Sequence, residues 1–508
     1  MARPRALSRI KRLISYGKFD QASRECRKYL DQEENPEAIF LLAVISSEKE
    51  LFAEALTLFE KAKMLSPERA DVAYNFGNLL QKINRLDQAI VEWERAVEIE
   101  PGHVDALINL GKAWYQNNKV ENSLAAYEEA AARNPENVDA LFGLGNINYR
   151  LGRYQHAAYC FSQITKIKPE HISAQANLGL CQLRTGENSL SIDSFSKVIF
   201  AQPDNIIAHV NRSFALLANG CFEEGWAEAE WRRKALSFEL NHSKEPNWSG
   251  EDISGKNLLL FSEQGHGDTI QYLRYIRALD KYSATIQFVC HESLVSLARN
   301  IDGISSVRGF NEQPEPFDLY APLMSLPHIL KISDPVEYST CPYIHAPNPF
   351  RLPGTTAKKK VGLVWAGNFA HDNDKARSTT LDALSPLLKL PDIDFFSLQV
   401  GPEEDTLSNS PYRDKIYNMA PQLFDYSMTA RVIEALDLVI TVDTSVGHLS
   451  GALGKPTWMM LPLVSDWRWF QDTDSTPWYQ SMTLFRQESQ SDWEPVVQSI
   501  CIELKARP

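Results

Sequence analysis

Five prolines, Pro67, Pro101, Pro135, Pro169 and Pro203, stand 34 residues apart. A fixed period of this size describes one supersecondary unit restated along the chain and stacked on its neighbours. Other positions keep the frame. Small residues recur at Ala43, Gly77, Gly111, Gly145 and Gly179, where two helices must approach closely. Ala55, Ala89, Ser123, Ala157 and Ser191 form a second small-residue column, and Phe59, Trp93, Tyr127, Phe161 and Phe195 follow four residues later. The spacing predicts an α-solenoid over residues 1–235, with an early unit at residues 16–22 and a degenerate last one at residues 206–234. Ser237 falls where the next proline is due, so the array is expected to end there. The periodic columns read as packing positions. Any partner would meet the inner face of the first helices, where Asn75, Asn78, Asn109, Lys112, Asn146 and Asn177 fall. Asparagines there can hydrogen-bond an extended peptide or simply face water, and both readings stand.

After residue 235 the pattern changes. Residues 236–255 are polar and punctuated by Pro246, Trp248 and Gly250, which predicts a linker. β-Branched runs then alternate with helical patterns, the signature of a parallel α/β sheet. Strands are expected at residues 257–262, 285–290, 305–307 and 317–321, and again at 361–366, 394–398, 436–442 and 457–461. A proline-rich passage, residues 335–353, separates two lobes, placed at 256–350 and 358–508, so a cleft is expected between them.

The formal net charge is -13, the opposite of a nucleic-acid binder's balance. The 7 cysteines include no Cys-x-x-Cys pair, which predicts reduced thiols and a cytoplasmic protein. No run reaches the roughly 18 apolar residues of a membrane span. Residues 1–13 are basic without an apolar core, and are read as the first helix of the array rather than a secretory signal.

Three loops stand at carboxyl ends of expected strands, where open parallel sheets bind ligands. The first, residues 263–268, runs Glu-Gln-Gly-His-Gly-Asp; its Gly265 and Gly267 allow close approach, and a helix leaves it. The second is residues 367–378. The third, residues 441–448, ends a strand in Asp443 and opens a helix with Thr444 and Ser445, both good caps and phosphate ligands, with His448 one turn on. A dinucleotide fingerprint would need a third glycine where Ile270 stands, and no Walker-type loop is present. Asp472-Thr473-Asp474 has a metal-motif spacing but sits among Trp467, Trp469 and Trp478, and reads as a surface loop; no metal is expected.

The repeat columns resemble the tetratricopeptide family. The string from Glu263 to Gln271 resembles the opening loop of the glycosyltransferase-like domain found behind tetratricopeptide arrays in bacteria. Val364 to Asn368, Leu438 to Pro456 and Asp466-Trp467-Arg468-Trp469 resemble its later motifs. That domain is similar to the heptosyltransferases and, more distantly, to the O-GlcNAc transferases. The resemblance implies an α-solenoid followed by an α/β GT-B fold of two Rossmann-like lobes. It places a general base at Asp268, with His266 as a second possible base. It places donor-binding residues at Gly265, Gly267, Asn368, Lys375, Arg377, Ser378, Gln399, Glu403 (or its neighbour Glu404), Asp443, Thr444, Ser445 and His448. Two departures stand out: His266 replaces an aliphatic or small residue, and Gly447 replaces a common alanine or serine.

The function so implied is a metal-independent, inverting protein O-glycosyltransferase using a CMP-, UDP-, GDP- or ADP-linked sugar. The array would recruit the acceptor, and the arrangement resembles bacterial flagellin glycosyltransferases. Two alternatives compete: a repeat adaptor whose second half has lost turnover, and transfer to a lipopolysaccharide or other glycan acceptor.

Overall fold

The computed structural model describes residues 2–235, 245–346, 348–354, 359–371 and 373–506, with side chains from residue 6 onward except at residue 235. The first part of the expected linker, residues 236–244, lies outside the described residues, as do Lys358 and Asp372. The chain divides into two compact units, residues 1–185 and 186–508.

The first unit is entirely helical: α1 (Ala2–Ser15), α2 (Phe19–Leu30), α3 (Pro36–Glu48), α4 (Phe52–Leu65), α5 (Ala70–Lys82), α6 (Leu86–Ile99), α7 (Val104–Gln116), α8 (Val120–Arg133), α9 (Val138–Arg150), α10 (Tyr154–Ile167) and α11 (Ile172–Arg184). The small-residue column meets the aromatic column, as expected. A Cβ added at Gly77, Gly111 or Gly145 would come within 2.6–2.8 Å of the rings of Trp93, Tyr127 and Phe161 respectively. Each ring is buried in its pair, worth about 1.5–3 kcal/mol apiece. A further periodic column starts the first helices. Asn35, His103, Asn137 and His171 each accept a hydrogen bond from the backbone N–H three residues on, satisfying a donor the helix leaves open.

The second unit opens with the last repeat helices, α12 (Asn188–Ala201), α13 (Ile206–Ala218), α14 (Phe222–Ala229) and α15 (Arg232–Ala235). The division between units thus falls inside the repeat pattern. Trp226 on α14 packs edge-on against Tyr272 and Trp467, and Leu217 on α13 joins the same core. Arg232, on α15, is buried and ion-paired with Glu263 and Glu230, and donates to the Ser325 hydroxyl.

Two parallel sheets follow. The first has the order β3-β2-β1-β4, from β1 (Asn257–Phe261), β2 (Thr285–Cys290), β3 (Ser306–Gly309) and β4 (Leu319–Pro322). Leu258 lies opposite both Ile286 and Leu319 in register. The second has the order β10-β9-β8-β5-β6-β7, from β5 (Lys359–Val364), β6 (Ile393–Ser397), β7 (Ile416–Asn418), β8 (Leu438–Val442), β9 (Thr457–Leu461) and β10 (Met482–Arg486). β8 and β9 are buried along their whole length, the continuous apolar type that parallel sheets require. The eight expected strands are present; β7 and β10, short and flanked by polar residues, are additional. Helices α16 (His266–Tyr272), α17 (Glu292–Ala298), α18 (Leu326–Ile329), α19 (Asp374–Arg377), α20 (Glu404–Ser408), α21 (Tyr426–Glu434), α22 (Ser445–Ala452) and α23 (Glu494–Ala506) cover the sheets and line their ends.

The described part of the expected linker is no free tether. Trp248 is buried, its backbone N–H donates to the Tyr320 carbonyl at 2.9 Å, and Ile253 is in the core. At the other end of the first lobe, Tyr343 N–H donates to Ala452 O and Phe350 N–H to Arg431 O, so this passage lies on the second lobe.

Candidate active site

The site is built where α16 leaves β1 and α22 leaves β8. Gly267 is required for that approach: a Cβ there would stand 3.0 Å from His448 Cδ2 and 3.5 Å from Ser445 Cα. Thr444 occupies the N-cap position of α22 in an extended conformation, but its side chain makes no capping bond. Its hydroxyl instead pairs with that of Thr441 at 3.1 Å, and the Ser445 hydroxyl pairs with that of Tyr426 at 2.7 Å. The expected hydroxyl caps are therefore not formed, and the positive end of the α22 dipole is not masked by its own side chains.

Two guanidinium groups border this helix end. Arg377 donates to the Asp443 carbonyl at 3.2 Å and lies 3.5 Å from the Asp374 carboxylate. Gly367 makes room for it, since a Cβ there would meet the guanidinium at 2.7 Å. Arg468 is buried and ion-paired with Asp268 and with Asp466, the latter at 2.7 Å, and also donates to Gln271. Asp268, the expected base, is thus held by a guanidinium in a charge-assisted bond.

The other titratable groups differ. Burial, and then the neighbouring Asp466 carboxylate, push the Asp443 carboxyl up to about 6, against the opposing influence of Trp469, Arg377 and Arg468. His448 is buried, its Nδ1 is 2.8 Å from the Tyr479 hydroxyl, and its Nε2 is 3.9 Å from Asp443 Oδ1. Burial and three guanidinium groups (Arg468, Arg274 and Arg377) hold it well below its ordinary value, so the ring is neutral and forms no ion pair with Asp443. His266 lies between His291 and Tyr426, ring centroids 4.6 and 5.1 Å away, with Nε2 2.9 Å from the Ser293 hydroxyl. Burial, then His291, lower it to about 4.

The remaining expected site residues are dispersed among other tasks. Gln399 is buried and clamps backbone: it accepts from the N–H of Trp365 and Ala366 and donates to the carbonyls of Ala366 and Val400. Its side chain has no polar group left for a donor, contrary to expectation. Ser378 accepts from Gly367 N–H and donates to Asp374, tying residue 378 to residues 367 and 374. Asn368 makes a turn by accepting from Ala370 N–H. Lys375 and Glu403 are exposed; Glu404 accepts a long bond, 3.5 Å, from Asn418. Gly265 forms the N-cap position of α16. Asp472 and Asp474 are exposed in the loop before β10.

On the array, the asparagines are hydrogen-bonded within the array, two pairs of them to each other, rather than standing free. Asn109 donates to Asn78 at 2.9 Å and Asn177 to Asn146 at 3.1 Å, while Asn78 also accepts from the Trp93 indole. Asn75 donates to the Asp71 carbonyl of its own helix, and Lys112 is exposed.

Arg468, Asp466, Tyr426 and Gln271 belong to the site, and none of them is given a role by the sequence. The Asp466-Trp-Arg-Trp string stands out as a motif, and its charged members are the available signal.

The profile of the tetratricopeptide repeat matches residues 74–131 and 115–172. The chain is 23% identical over 330 residues to protein FlbA of Caulobacter vibrioides, covering 58% of this chain and 54% of FlbA; the chain thus spans about half the length of that curated relative. Among solved structures it is similar to YrrB, described as a tetratricopeptide-repeat protein with an unusual peptide-binding site (20% identity, 36% of this chain, 94% of that one, TM-score 0.34). It is also similar to PilF of Pseudomonas aeruginosa (17% identity, 41% and 95% coverage, TM-score 0.38). The amino-terminal part of the chain carries tetratricopeptide repeats, which suggest protein–protein interaction. Among the described residues no helix is long and apolar enough to cross a membrane.

Proposed function

We propose that the chain is a protein O-glycosyltransferase of GT-B type, transferring a sugar from a nucleotide-linked donor to Ser or Thr of a protein that the repeats recruit. The observation that carries this reading is the α22 amino end, left without a side-chain cap and flanked by Arg377 and Arg468. Cleaving a nucleotide–sugar bond leaves negative charge on phosphate. A helix end and the Arg377 guanidinium are suited to stabilise that charge without reorganisation, whereas Arg468 is already held by Asp268 and Asp466. Two parallel sheets whose carboxyl ends supply the loops support the same reading. The repeats support a protein acceptor over a glycan one, and flagellin is the acceptor we propose.

The test is thermal stabilisation of the full chain against CMP-, UDP-, GDP- and ADP-linked sugars. A true donor raises the midpoint by binding the folded state, and Arg377→Ala reduces that gain. A flat panel with folded protein would reject the transferase reading in favour of an adaptor.

A further inference from the structure

We propose that Arg274 is a positioning residue: from the first lobe it holds α22 of the second, and so fixes where the amino end of that helix stands relative to Asp268. The inference rests on the transferase reading above and concerns how the two sides of that site are kept in register.

Arg274 lies in Leu273–Tyr282, the tight helical segment that continues α16, and is 1% exposed. Its Nε donates to the Gln271 carbonyl at 2.9 Å, one terminal nitrogen to the Trp478 carbonyl at 2.8 Å, and the other to the Tyr343 hydroxyl at 3.2 Å. The guanidinium carbon stands 4.7 Å from the ring centroid of Tyr479, 5.0 Å from that of Tyr343 and 5.5 Å from that of Trp478. Among the described residues no carboxylate pairs with it, unlike Arg468, Arg377 and Arg232. A buried cation held by carbonyls, a hydroxyl and ring faces alone is costly, and an apolar side chain of similar length would join the same segments at less cost. What the guanidinium adds is direction, because its donors form a rigid planar fork.

The segments so held are the ones that seat α22. Tyr343 N–H donates to the Ala452 carbonyl at 3.1 Å. The Tyr479 hydroxyl is 2.8 Å from His448 Nδ1, and Gly451 makes room for the Tyr479 ring, since a Cβ there would stand 2.5 Å from it. His448, Gly451 and Ala452 are thus gripped by two tyrosines that one side chain of the first lobe fixes. The same lobe meets His448 again through Gly267 of α16, the helix that carries Asp268 and runs directly into Arg274. Arg274 touches no reacting group and acts through Tyr343 and Tyr479. Its effect on the reaction is geometric: a displacement of about 1 Å between reacting groups can cost roughly 100-fold in rate.

Hydrogen–deuterium exchange of the full chain reads this grip without any ligand. In Arg274→Met the amides of α22 should exchange roughly tenfold faster or more, while β5 and β9 of the same lobe keep their wild-type protection. Arg274→Lys, which keeps the charge and loses the fork, should resemble Arg274→Met. Unchanged exchange at α22, an equal loss at α22, β5 and β9, or full recovery with lysine would overturn the proposal. Where Arg274→Met does not fold, Tyr343→Phe carries the test, since it removes only the hydroxyl that accepts from Arg274 and donates to the Ile270 carbonyl at 3.0 Å. It should loosen α22 in the same sense, and wild-type exchange there would overturn the proposal. With a donor from the panel above, Arg274→Met should lose roughly tenfold or more in kcat. Wild-type kcat with a loosened α22 would reject the role in the reaction. A flat donor panel refutes the transferase reading separately, because exchange is read without donor.

Discussion

Replacing Asp443 with asparagine should stabilise the protein at neutral and alkaline pH. The folded state holds this carboxyl near 6, against 3.8 for the free group. Because the folded value is raised, the carboxyl's contribution to stability is fully present below about pH 4 and is lost as pH rises through about 6. The difference, about 2 pH units at about 1.36 kcal/mol each, amounts to about 3 kcal/mol above that window. A neutral amide in the same place would carry no such cost, so Asp443→Asn should be more stable by about 1–3 kcal/mol at about pH 8, and the two proteins should converge as pH falls to about 4. Urea unfolding followed by tryptophan fluorescence suits the measurement, since 9 of the 11 tryptophans lie in residues 186–508. A variant that is less stable than wild type at pH 8, with a gap that does not change with pH, would refute the reasoning.

Arg232→Met should cost about 3–5 kcal/mol by leaving the buried Glu263 carboxylate without its partner; urea titration of the full chain checks this. The loss should shrink at low pH, since burial already holds the Glu263 carboxyl above its ordinary range and protonation removes the charge. Gly447→Ala should cost about 1 kcal/mol, because the new methyl stands 2.4 Å from the terminal methyl of the buried but unbranched Met459, which can turn aside, and 3.2 Å from Thr441 Cγ2. In contrast, Gly143→Ala sets a methyl 2.2 Å from the Tyr127 ring, and should lose about 1–3 kcal/mol despite the better helix propensity of alanine. Parallel thermal melts of the two alanine variants would decide between them.

The repeats were legible because each unit restates the same spacing, so Gly77, Gly111 and Gly145 identify one another. The strands were legible as apolar runs. Arg468 and Asp268 were not legible as a pair: they are 200 residues apart, and nothing local to either encodes the other. Gln399 shows the opposite failure. It stands at the mouth of a strand, where a ligand group was expected, yet the loop's own backbone consumes its amide. The array asparagines were visible as a column, but the 31-residue offset that joins Asn78 to Asn109 belongs to the stacking of units, not to the 34-residue period. The break after residue 235 was clear in composition, whereas the division into units at residue 186 leaves no mark in a sequence pattern that runs straight through it.

The packing of α14 has a consequence for synthesis. Trp226 precedes its partner Trp467 by 241 residues (467 − 226). At about 5–20 residues per second, a ribosome needs roughly 10–50 s to supply that partner. During this interval the earlier repeats can stack in order as they emerge, while the aromatic face of Phe222 and Trp226 waits uncovered. The last repeats are therefore the part of the nascent chain most exposed to chaperones and to association with other chains.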